Sequence, residues 1–135
     1  MHFPENLKYT KDHEWTKIDG KIVTIGITDH AQSSLGDVVY VELPKVGRIL
    51  REKETFGVVE SIKAVSDLYS PVAGKVVEVN SILEEHPEKI NQDPHQGAWM
   101  IKIEIADSNA SERSHPPDLS DLMDAQTYEN YVDSL

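Results

Sequence analysis

The sequence contains no cysteine, and this absence removes three kinds of chemistry. A chain without thiols forms no disulfide, presents no thiolate nucleophile and builds no zinc–thiolate site. Any redox-active sulfur would therefore have to come from an attached group. The absence of cysteine does not by itself indicate the cellular compartment.

Basic residues are scarce as well. The 13 Lys and Arg residues stand against 24 Asp and Glu residues, which gives a net charge of −11. Nucleic acids and anionic membranes are bound through cations, so this balance disfavours both of these partners. Basic or cationic partners are favoured instead.

Long apolar runs are also missing from the sequence. No stretch approaches the roughly 20 apolar residues of a membrane-spanning helix. The first seven residues lack the basic and apolar segments of an export signal. We therefore expect a bacterial-type cytoplasmic protein, while noting that a mature organellar chain would look the same.

Charge and apolar patterning divide the chain into two parts. Residues 107–135 hold seven acidic residues and one basic residue, a net charge of −6, and residues 1–106 carry the remaining −5. The stretch 107–117 is rich in Ser, Asp and Pro, which is typical of a surface linker. The sequence therefore predicts a domain over residues 1–106, a linker over 107–117 and a helical tail over 118–135 packed on the same domain.

The apolar residues of the first part alternate with a period of two, which is typical of β-strands. Seven short strands are predicted, separated by turn signals and without long crossover helices. These features favour an all-β sandwich or barrel with short helices over a parallel α/β sheet. The predicted strands cover residues 13–18, 21–27, 37–43, 55–62, 64–69, 75–79 and 98–105.

Two short helices are predicted between these strands. Thr28 or Asp29 caps the first, over residues 31–35, and Gly36 suits the left-handed position that ends it. The second runs from residue 80 or 81 to about residue 86. A polar loop follows it and leads to the last strand.

The tail is predicted to be helical. Asp118 is its predicted N-cap, and the helix is interrupted around residues 124–126. We expect the apolar stripe of this helix to pack on the β core. The stripe consists of Leu119, Leu122, Met123, Tyr128, Tyr131 and Val132.

Motifs of common catalytic sites are absent from the sequence. The six histidines never stand four residues apart beside a carboxylate on a predicted helix, so the zinc-protease signature is missing. The glycines are isolated, which disfavours a phosphate-binding loop, and no serine stands in a Gly-x-Ser-x-Gly turn. A serine triad assembled in space stays open, because triads are recognised by geometry. We expect neither a metal site nor a catalytic residue.

One lysine stands out from this negative search. Lys63 is the only basic residue between Lys53 and Lys75, and it lies between two predicted strands, where a hairpin would turn. A lysine at such a turn projects away from the sheet, which suits acylation of its amine by a prosthetic group that must travel. Most lysines are simply solvated, so spacing alone leaves both interpretations open.

Five blocks spread over residues 7–105 carry a resemblance to a known family. The blocks are Val59-Glu60-Ser61-Ile62-Lys63-Ala64 with Ser66-Asp67 and Ser70-Pro71-Val72-Ala73-Gly74; His13-Glu14-Trp15; Gly26-Ile27-Thr28 with Ala31-Gln32; Leu35-Gly36-Asp37-Val38-Val39 with Leu43-Pro44; and Val79-Asn80 with Gly97-Ala98-Trp99. Taken in their order along the chain, these blocks resemble the glycine cleavage system H-protein family, with Lys63 in the lipoylation segment. The acidic tail with Leu122, Met123 and Tyr128 also fits.

The resemblance implies a barrel-sandwich hybrid of the biotinyl/lipoyl-carrier type, whose two antiparallel sheets present Lys63 at an exposed hairpin. In this family lipoate forms an amide with that lysine. The arm shuttles an aminomethyl group from glycine decarboxylase (P protein) to the tetrahydrofolate-dependent aminomethyltransferase (T protein). Dihydrolipoyl dehydrogenase (L protein) then reoxidises the dithiol. The resemblance thus implies a lipoate-bearing carrier that is not itself a catalyst.

A further enzyme is implied by the attachment of lipoate to the lysine. The residues around Lys63 are Glu60, Ser61, Ile62 and Ala64. Small side chains at positions 61 and 64 would leave room for the lipoate-attaching enzyme, or they serve ordinary hairpin packing. We expect a monomer, because one arm must reach several active sites.

The resemblance also points to a docking cleft for the loaded arm. In the family the arm folds back near the His-Glu-Trp segment, which points to Glu14, with Asp67 nearby through the hairpin. A carboxylate there would pair with the cationic amine of the arm while excluded water limits its release as formaldehyde. Alternatively, both acids are solvated residues on strand faces. Many family members have a histidine where this chain has Ser34, so docking through that position stays open.

Three other functions are weighed against glycine cleavage. An H-like relay would donate lipoyl groups to other complexes, and sequence alone separates it poorly from a glycine cleavage carrier. A biotin carrier shares the fold but usually places methionine on both sides of its lysine, whereas Ile62 and Ala64 flank Lys63. An unmodified β adaptor that binds basic partners would leave the lysine free.

Overall fold

The computed structural model describes residues 1–105 and 122–135. The predicted linker over 107–117 and the predicted N-cap Asp118 lie outside these described residues. Among the described residues, no helix combines the length and the apolar character that crossing a membrane requires.

Nine strands and four helices make up the described part of the chain. The strands are β1 (Lys8–Tyr9), β2 (Glu14–Asp19), β3 (Ile22–Ile27), β4 (Val38–Glu42), β5 (Ile49–Leu50), β6 (Thr55–Ser61), β7 (Val65–Tyr69), β8 (Gly74–Val79) and β9 (Ile101–Ile105). The helices are α1 (Asp29–Leu35), α2 (Ile82–Glu85), α3 (Lys89–Gln92) and α4 (Ala125–Asp133). Each of the seven predicted strands has a counterpart, and the two-residue strands β1 and β5 are additional.

The strands form two sheets. One is six-stranded with the order β1-β2-β3-β9-β8-β5, and the other is three-stranded with the order β4-β6-β7. All of the strand pairs are antiparallel. The three-stranded sheet contains the hairpin predicted to carry Lys63.

Most of the core consists of aliphatic residues contributed by strands of both sheets. Their inward faces bring together, among others, Val23, Ile25, Val41, Phe56, Val59, Leu68, Val76 and Ile103. Burying such side chains stabilises each by about 1.5–3 kcal/mol relative to exposure. The alternation of buried and exposed residues along β8 and β9 follows the period of two seen in the sequence.

A second cluster lies under α4. It consists of Leu7, Tyr9, Trp15, Ala125 and Tyr128, with Met123 and Tyr131 packed against it. The ring of Tyr9 stacks on that of Tyr128, with centroids 4.6 Å apart and planes within 6°. This contact holds the C-terminal helix against β1.

The sequence misplaced three element boundaries. Helix α4 begins at Ala125 with Asp124 as its N-cap, so Met123 does not belong to the helical stripe: it pairs with Tyr9 as an isolated β-bridge. The polar loop after Pro87 contains the helical turn α3. The last strand begins at Ile101 rather than at residue 98.

Candidate functional site

Lys63 lies at the turn that joins β6 to β7, and its side chain is exposed. The last cross-strand pair before the turn is Glu60 with Val65. The turn is closed by a hydrogen bond in which the N–H group of Ser61 donates to the carbonyl of Ala64 at 2.8 Å. The amine is therefore presented at the tip of a hairpin, as the sequence predicts.

The Ser61 hydroxyl group organises the backbone of this turn. Its Oγ accepts hydrogen bonds from the N–H groups of Lys63 at 3.3 Å and Ala64 at 3.1 Å. The N–H group of Ile62 donates to the carbonyl of Asp37 at 3.2 Å, which ties the turn to the start of β4. Ser61 is itself buried, whereas Ile62 and Ala64 are exposed. The hairpin tip is thus preformed while the side chains beside the lysine remain accessible.

The stem of Lys63 extends over the end of α1. Gly36 follows this helix with φ at +81°, a left-handed conformation that favours glycine. A Cβ atom at position 36 would lie 3.4 Å from Lys63 Cε, which is ordinary van der Waals contact. Gly36 therefore ends the helix, and the stem of Lys63 lies close to it.

A cleft of about 270 Å³ has Leu35, the residue before Gly36, in its lining. One wall is the chain around β2, another is α1, and a third is β7. The lining residues are Asp12, His13, Glu14, Ile27, His30, Ala31, Ser34, Leu35, Ser66, Asp67 and Leu68. All three residues assigned to docking from the sequence, Glu14, Asp67 and Ser34, therefore line the same cleft.

Glu14 is the most buried charged residue of the cleft, with 2% of its surface exposed. Its Oε1 accepts a hydrogen bond from the Thr10 hydroxyl group at 2.8 Å, and its Oε2 accepts one from the N–H group of Tyr69 at 3.2 Å. Burial raises the pKa of Glu14 to about 7, although both hydrogen bonds favour the ionised form. The alternative of a solvated acid is wrong for Glu14.

Asp67 and Ser34 lie at the outer part of the cleft, and both are exposed. Asp67 pairs with Val58 across the hairpin, and Ser34 lies in the last turn of α1. The cleft thus has a buried carboxyl group inside and a solvated carboxylate at its rim.

Two cleft residues, His13 and His30, were not singled out by the sequence as site residues. Their ring centroids are 4.6 Å apart. Burial is the main cause that lowers the pKa of His13, and the neighbouring His30 lowers it further. The adjacent motif His13-Glu14-Trp15 and the N-cap at Thr28 were the available signals, but neither indicates that the two rings meet.

Tyr128 connects the cleft to the C-terminal helix. Its hydroxyl group lies 2.8 Å from His13 Nδ1 and 2.7 Å from Thr28 Oγ1. Thr28 in turn caps α1, because its Oγ1 accepts the N–H group of Ala31 at 3.1 Å. Residues separated by 100 or more positions in the sequence therefore meet behind the cleft.

The two tryptophans lie outside the lining of this cleft. The indole N–H group of Trp15 donates to the carbonyl of Pro94 at 2.8 Å, and its ring occupies the space that a Cβ atom on Gly26 would need. Trp99 lies beneath Lys102, whose Nζ is 5.0 Å from the ring centroid. Both line a separate open cleft of about 950 Å³ on the six-stranded sheet. Within the described residues, no group of three or more metal-ligating side chains comes together.

Comparison with known proteins identifies close relatives. The family model for the glycine cleavage H-protein matches residues 7–135. A glycine cleavage system H protein from Anaeromyxobacter sp. (strain K) is 52% identical over 133 residues, which cover 98% of each chain. One from Bacteroides thetaiotaomicron is 48% identical over 132 residues, again with 98% of each chain covered.

A solved structure agrees with these relatives. The crystal structure of a glycine cleavage system H protein from Mycobacterium marinum superposes with a TM-score of 0.81 at 34% identity. The match covers 96% of this chain and 98% of that chain. The predicted fold class, a barrel-sandwich hybrid with short helices and a C-terminal helix, is confirmed by this match.

Proposed function

Because the chain belongs to the glycine cleavage H-protein family, we propose that Lys63 is the residue that carries its lipoyl group, as an amide. The protein is the lipoyl carrier of the glycine cleavage system. The position of Lys63 carries the assignment of the residue: the lysine is exposed at a preformed hairpin tip and adjoins a cleft. No other basic residue lies within the hairpin.

The residues around the lysine fit a lipoyl group. Ile62 and Ala64 are exposed, so the amine is accessible to an attaching enzyme. The stem of Lys63 lies next to Gly36, and the preceding residue, Leu35, lines the cleft. When attached, the lipoyl group supplies a disulfide that can be reduced and can carry an aminomethyl group. The cysteine-free chain has no such sulfur of its own.

The cleft has the properties that a docked aminomethyl arm requires. Ile27, Ala31, Leu35 and Leu68 give it apolar walls that exclude water. Glu14 lies among them with a raised pKa, so a cation placed beside it would favour the ionised carboxylate. Asp67 adds a second carboxylate at the rim, and Ser34 contributes a hydroxyl group where other family members have a histidine. We assign these three residues to arm docking.

The protein is a carrier component of a multienzyme system, and we propose that its partners are four enzymes. They are glycine decarboxylase, aminomethyltransferase, dihydrolipoyl dehydrogenase and a lipoate-attaching enzyme. A monomer in the cytoplasm suits this role, because an arm that visits several active sites must remain accessible and must share their compartment. On this proposal the chain binds and transfers but catalyses no step itself.

We further propose that the carrier domain and the C-terminal tail form one functional unit. The carrier domain covers residues 1–106, the segment 107–117 connects it to the tail, and the tail covers 118–135. The support is the packing of α4 on β1, where Tyr128 is fully buried against Tyr9.

Mass spectrometry of the protein purified from its native host tests the attachment. The peptide that contains Lys63 is expected to carry the lipoyl mass, and Lys63→Arg is expected to abolish modification. Lys75→Arg, a matched change at an exposed lysine of β8, should leave it intact. An unmodified Lys63 under lipoate-replete growth would overturn the assignment and favour the adaptor.

A reconstituted assay tests the carrier role separately. Lipoylated protein is expected to support glycine decarboxylation with the other three components, and Lys63→Arg protein is not. Modified protein that is inactive with glycine decarboxylase would instead favour the lipoyl relay.

A further inference from the structure

The buried hydroxyl group of Tyr128 contacts both sides of the docking cleft. On one side it bonds His13 Nδ1 at 2.8 Å, and His13 immediately precedes Glu14. On the other side it bonds Thr28 Oγ1 at 2.7 Å, and Thr28 begins the helix that carries Ala31, Ser34 and Leu35. A single hydroxyl group thus joins two walls of the cleft without lining it.

In one arrangement of this cluster, the hydroxyl protons of Thr28 and Tyr128 are both donated in hydrogen bonds. Thr28 Oγ1 accepts from the N–H group of Ala31, so its own proton is free to be donated to Tyr128 Oη. The Tyr128 hydroxyl group then donates a hydrogen bond to His13 Nδ1, which requires a neutral imidazole with its proton on Nε2. Burial favours the neutral forms of both groups, since it lowers the pKa of His13 and raises the pKa of Tyr128 to about 12.

The hydrogen bond to Tyr128 acts on a residue with an unusual backbone conformation. His13 has φ at +68°, a left-handed conformation that is uncommon for residues other than glycine. Such a conformation persists where surrounding contacts fix it. The contacts here are the side-chain bond to Tyr128 and the backbone bond from the Thr28 N–H group to the His13 carbonyl at 3.0 Å.

The position of the hydroxyl group is itself fixed by packing. Tyr128 is fully buried, stacked on Tyr9 and in edge contact with Phe3. A ring held from both sides delivers its hydroxyl group to one point. Rigid support of this kind is what keeps a binding site at its productive geometry.

We propose that Tyr128 is a positioning residue that sets the separation of the two walls of the docking cleft and thereby the protection of the loaded arm. The proposal rests on the docking function assigned above to Glu14, Asp67 and Ser34. It gives the C-terminal helix a role in that docking. Tyr128 acts through His13 and Thr28 and does not contact the arm.

Tyr128→Phe is the direct test, because it keeps the stacked ring and removes only the hydroxyl group. Lipoylated protein is loaded with the aminomethyl group and separated from the enzymes, and the release of formaldehyde is followed over time. The variant loses both hydrogen bonds of the hydroxyl group and is expected to release formaldehyde about two to ten times faster than the wild type, the factor for a net loss of about 0.4–1.4 kcal/mol.

Tyr9→Phe is the matched control. Tyr9 belongs to the same buried cluster, and its hydroxyl group donates to the carbonyl of Pro4 at 2.6 Å, away from the cleft. Both variants should lower the melting temperature to a similar extent, but only Tyr128→Phe should accelerate release. Equal acceleration in the two variants, or wild-type release from Tyr128→Phe, would overturn the proposal.

A second pair of variants tests the other bond of the hydroxyl group. Thr28→Ser keeps the hydroxyl group and is expected to release formaldehyde at the wild-type rate. Thr28→Val keeps the shape and removes both the bond to Tyr128 and the cap of α1, so release should accelerate. If the two variants release at the same rate, Thr28 does not transmit the position of Tyr128 and the proposal is wrong.

Nuclear magnetic resonance separates failure of this proposal from failure of docking itself. On loading of wild-type protein, the backbone amide signals of Ser34 and Asp67 are expected to shift, and the shifts should shrink in Tyr128→Phe. An absence of shifts in the wild type would overturn docking and this proposal together. Full shifts in both proteins would leave docking intact and overturn only the role of Tyr128.

Discussion

Folding and binding have opposite effects on the charge of Glu14. Burial in the folded protein disfavours the ionised carboxylate, whereas a docked cation would favour it. With 2% of its surface exposed, its ionised form lacks most of its hydration, and two hydrogen bonds compensate only in part. Burial thereby raises the pKa of Glu14 to about 7. A cation that docks beside Glu14 would therefore stabilise a charge that the empty cleft disfavours.

The raised pKa of Glu14 predicts a pH-dependent cost in stability. In the unfolded chain the group ionises near its ordinary pKa of 4.5, and in the folded protein near 7, so the folded state binds more protons between these values. The free energy of unfolding therefore loses the contribution of Glu14 as pH rises through this window, by at most about 3 kcal/mol. Glu14→Gln removes this loss.

Urea unfolding at pH 5 and pH 8 checks this expectation. Relative to wild type, Glu14→Gln should gain stability between pH 5 and pH 8, because the amide does not ionise; its single oxygen can accept from the Tyr69 N–H group while its NH2 group donates to the Thr10 hydroxyl oxygen. Glu60→Gln, which removes a partly exposed carboxyl group from the adjacent hairpin, should show no comparable gain. A difference between Glu14→Gln and wild type that is equal at both pH values would contradict the raised pKa.

At the scale of single residues, the sequence predicted the members of the site better than their environment. Lys63, Glu14 and Asp67 lie in short motifs that can be matched by eye. The burial of Glu14 could not be predicted, because it depends on Thr10 and Tyr69 packing around one carboxyl group. The bond from His13 to Tyr128 spans 115 positions, and no local pattern marks it.

The β6–β7 hairpin is the element on which the proposed attachment depends. Its tip is held by the Ser61 hydroxyl group and by the bond from the Ile62 N–H group to Asp37. Because these bonds use the backbone, the side chains of Lys63 and its neighbours stay free. An enzyme that modifies the lysine meets a turn that is already formed.

Ser61→Ala should loosen this turn. The loss of a buried hydroxyl group that accepts two backbone N–H groups is expected to reduce the free energy of unfolding by about 1 kcal/mol. Modification of Lys63 by the purified lipoate-attaching enzyme should slow several-fold, which intact mass spectrometry can follow. Ser66→Ala removes a hydroxyl group with only a 3.4 Å bond to its neighbour's carbonyl, and serves as the control. Equal modification rates in both variants would show that the lipoate-attaching enzyme does not require the preformed turn.

Long elements were predictable and short ones were not. Strands β3, β6 and β8 have six or seven residues each, and their burial alternates over part of that length, which is enough for a period of two to be recognised. Strands β1 and β5 have two residues each and exist because a neighbouring strand pairs with them. The predicted helical stripe of the tail includes Met123 because this residue is apolar, whereas Met123 pairs with Tyr9 in a β-bridge and α4 begins at Ala125.

The whole molecule combines a strongly acidic charge with one lysine at an exposed tip. Asp37 and Glu60 lie beside that tip, and no basic residue lies within the hairpin except Lys63. Acylation of Lys63 removes its positive charge, so the lipoylated hairpin becomes more acidic. Partner enzymes that accept this surface are expected to present basic residues around their active-site entrances.

Association with those partners should therefore weaken as salt concentration rises. Attraction between exposed charges is screened over about 10 Å at 0.1 M salt and over about 3 Å at 1 M. The KM of glycine decarboxylase for the lipoylated protein is expected to rise several-fold between 50 mM and 500 mM potassium chloride, with kcat little changed. The kinetic assay measures both quantities directly.

Two charge-matched double variants distinguish a local effect from the net charge. Asp37→Asn with Glu60→Gln removes two acids next to the hairpin tip, and should reduce the dependence of KM on salt. Asp19→Asn with Glu52→Gln removes the same charge at two exposed positions, the last residue of β2 and the turn before β6, and should leave that dependence nearly unchanged. Because both variants have the same net charge, equal reductions would mean that partners respond to the field of the whole molecule rather than to the surface around Lys63.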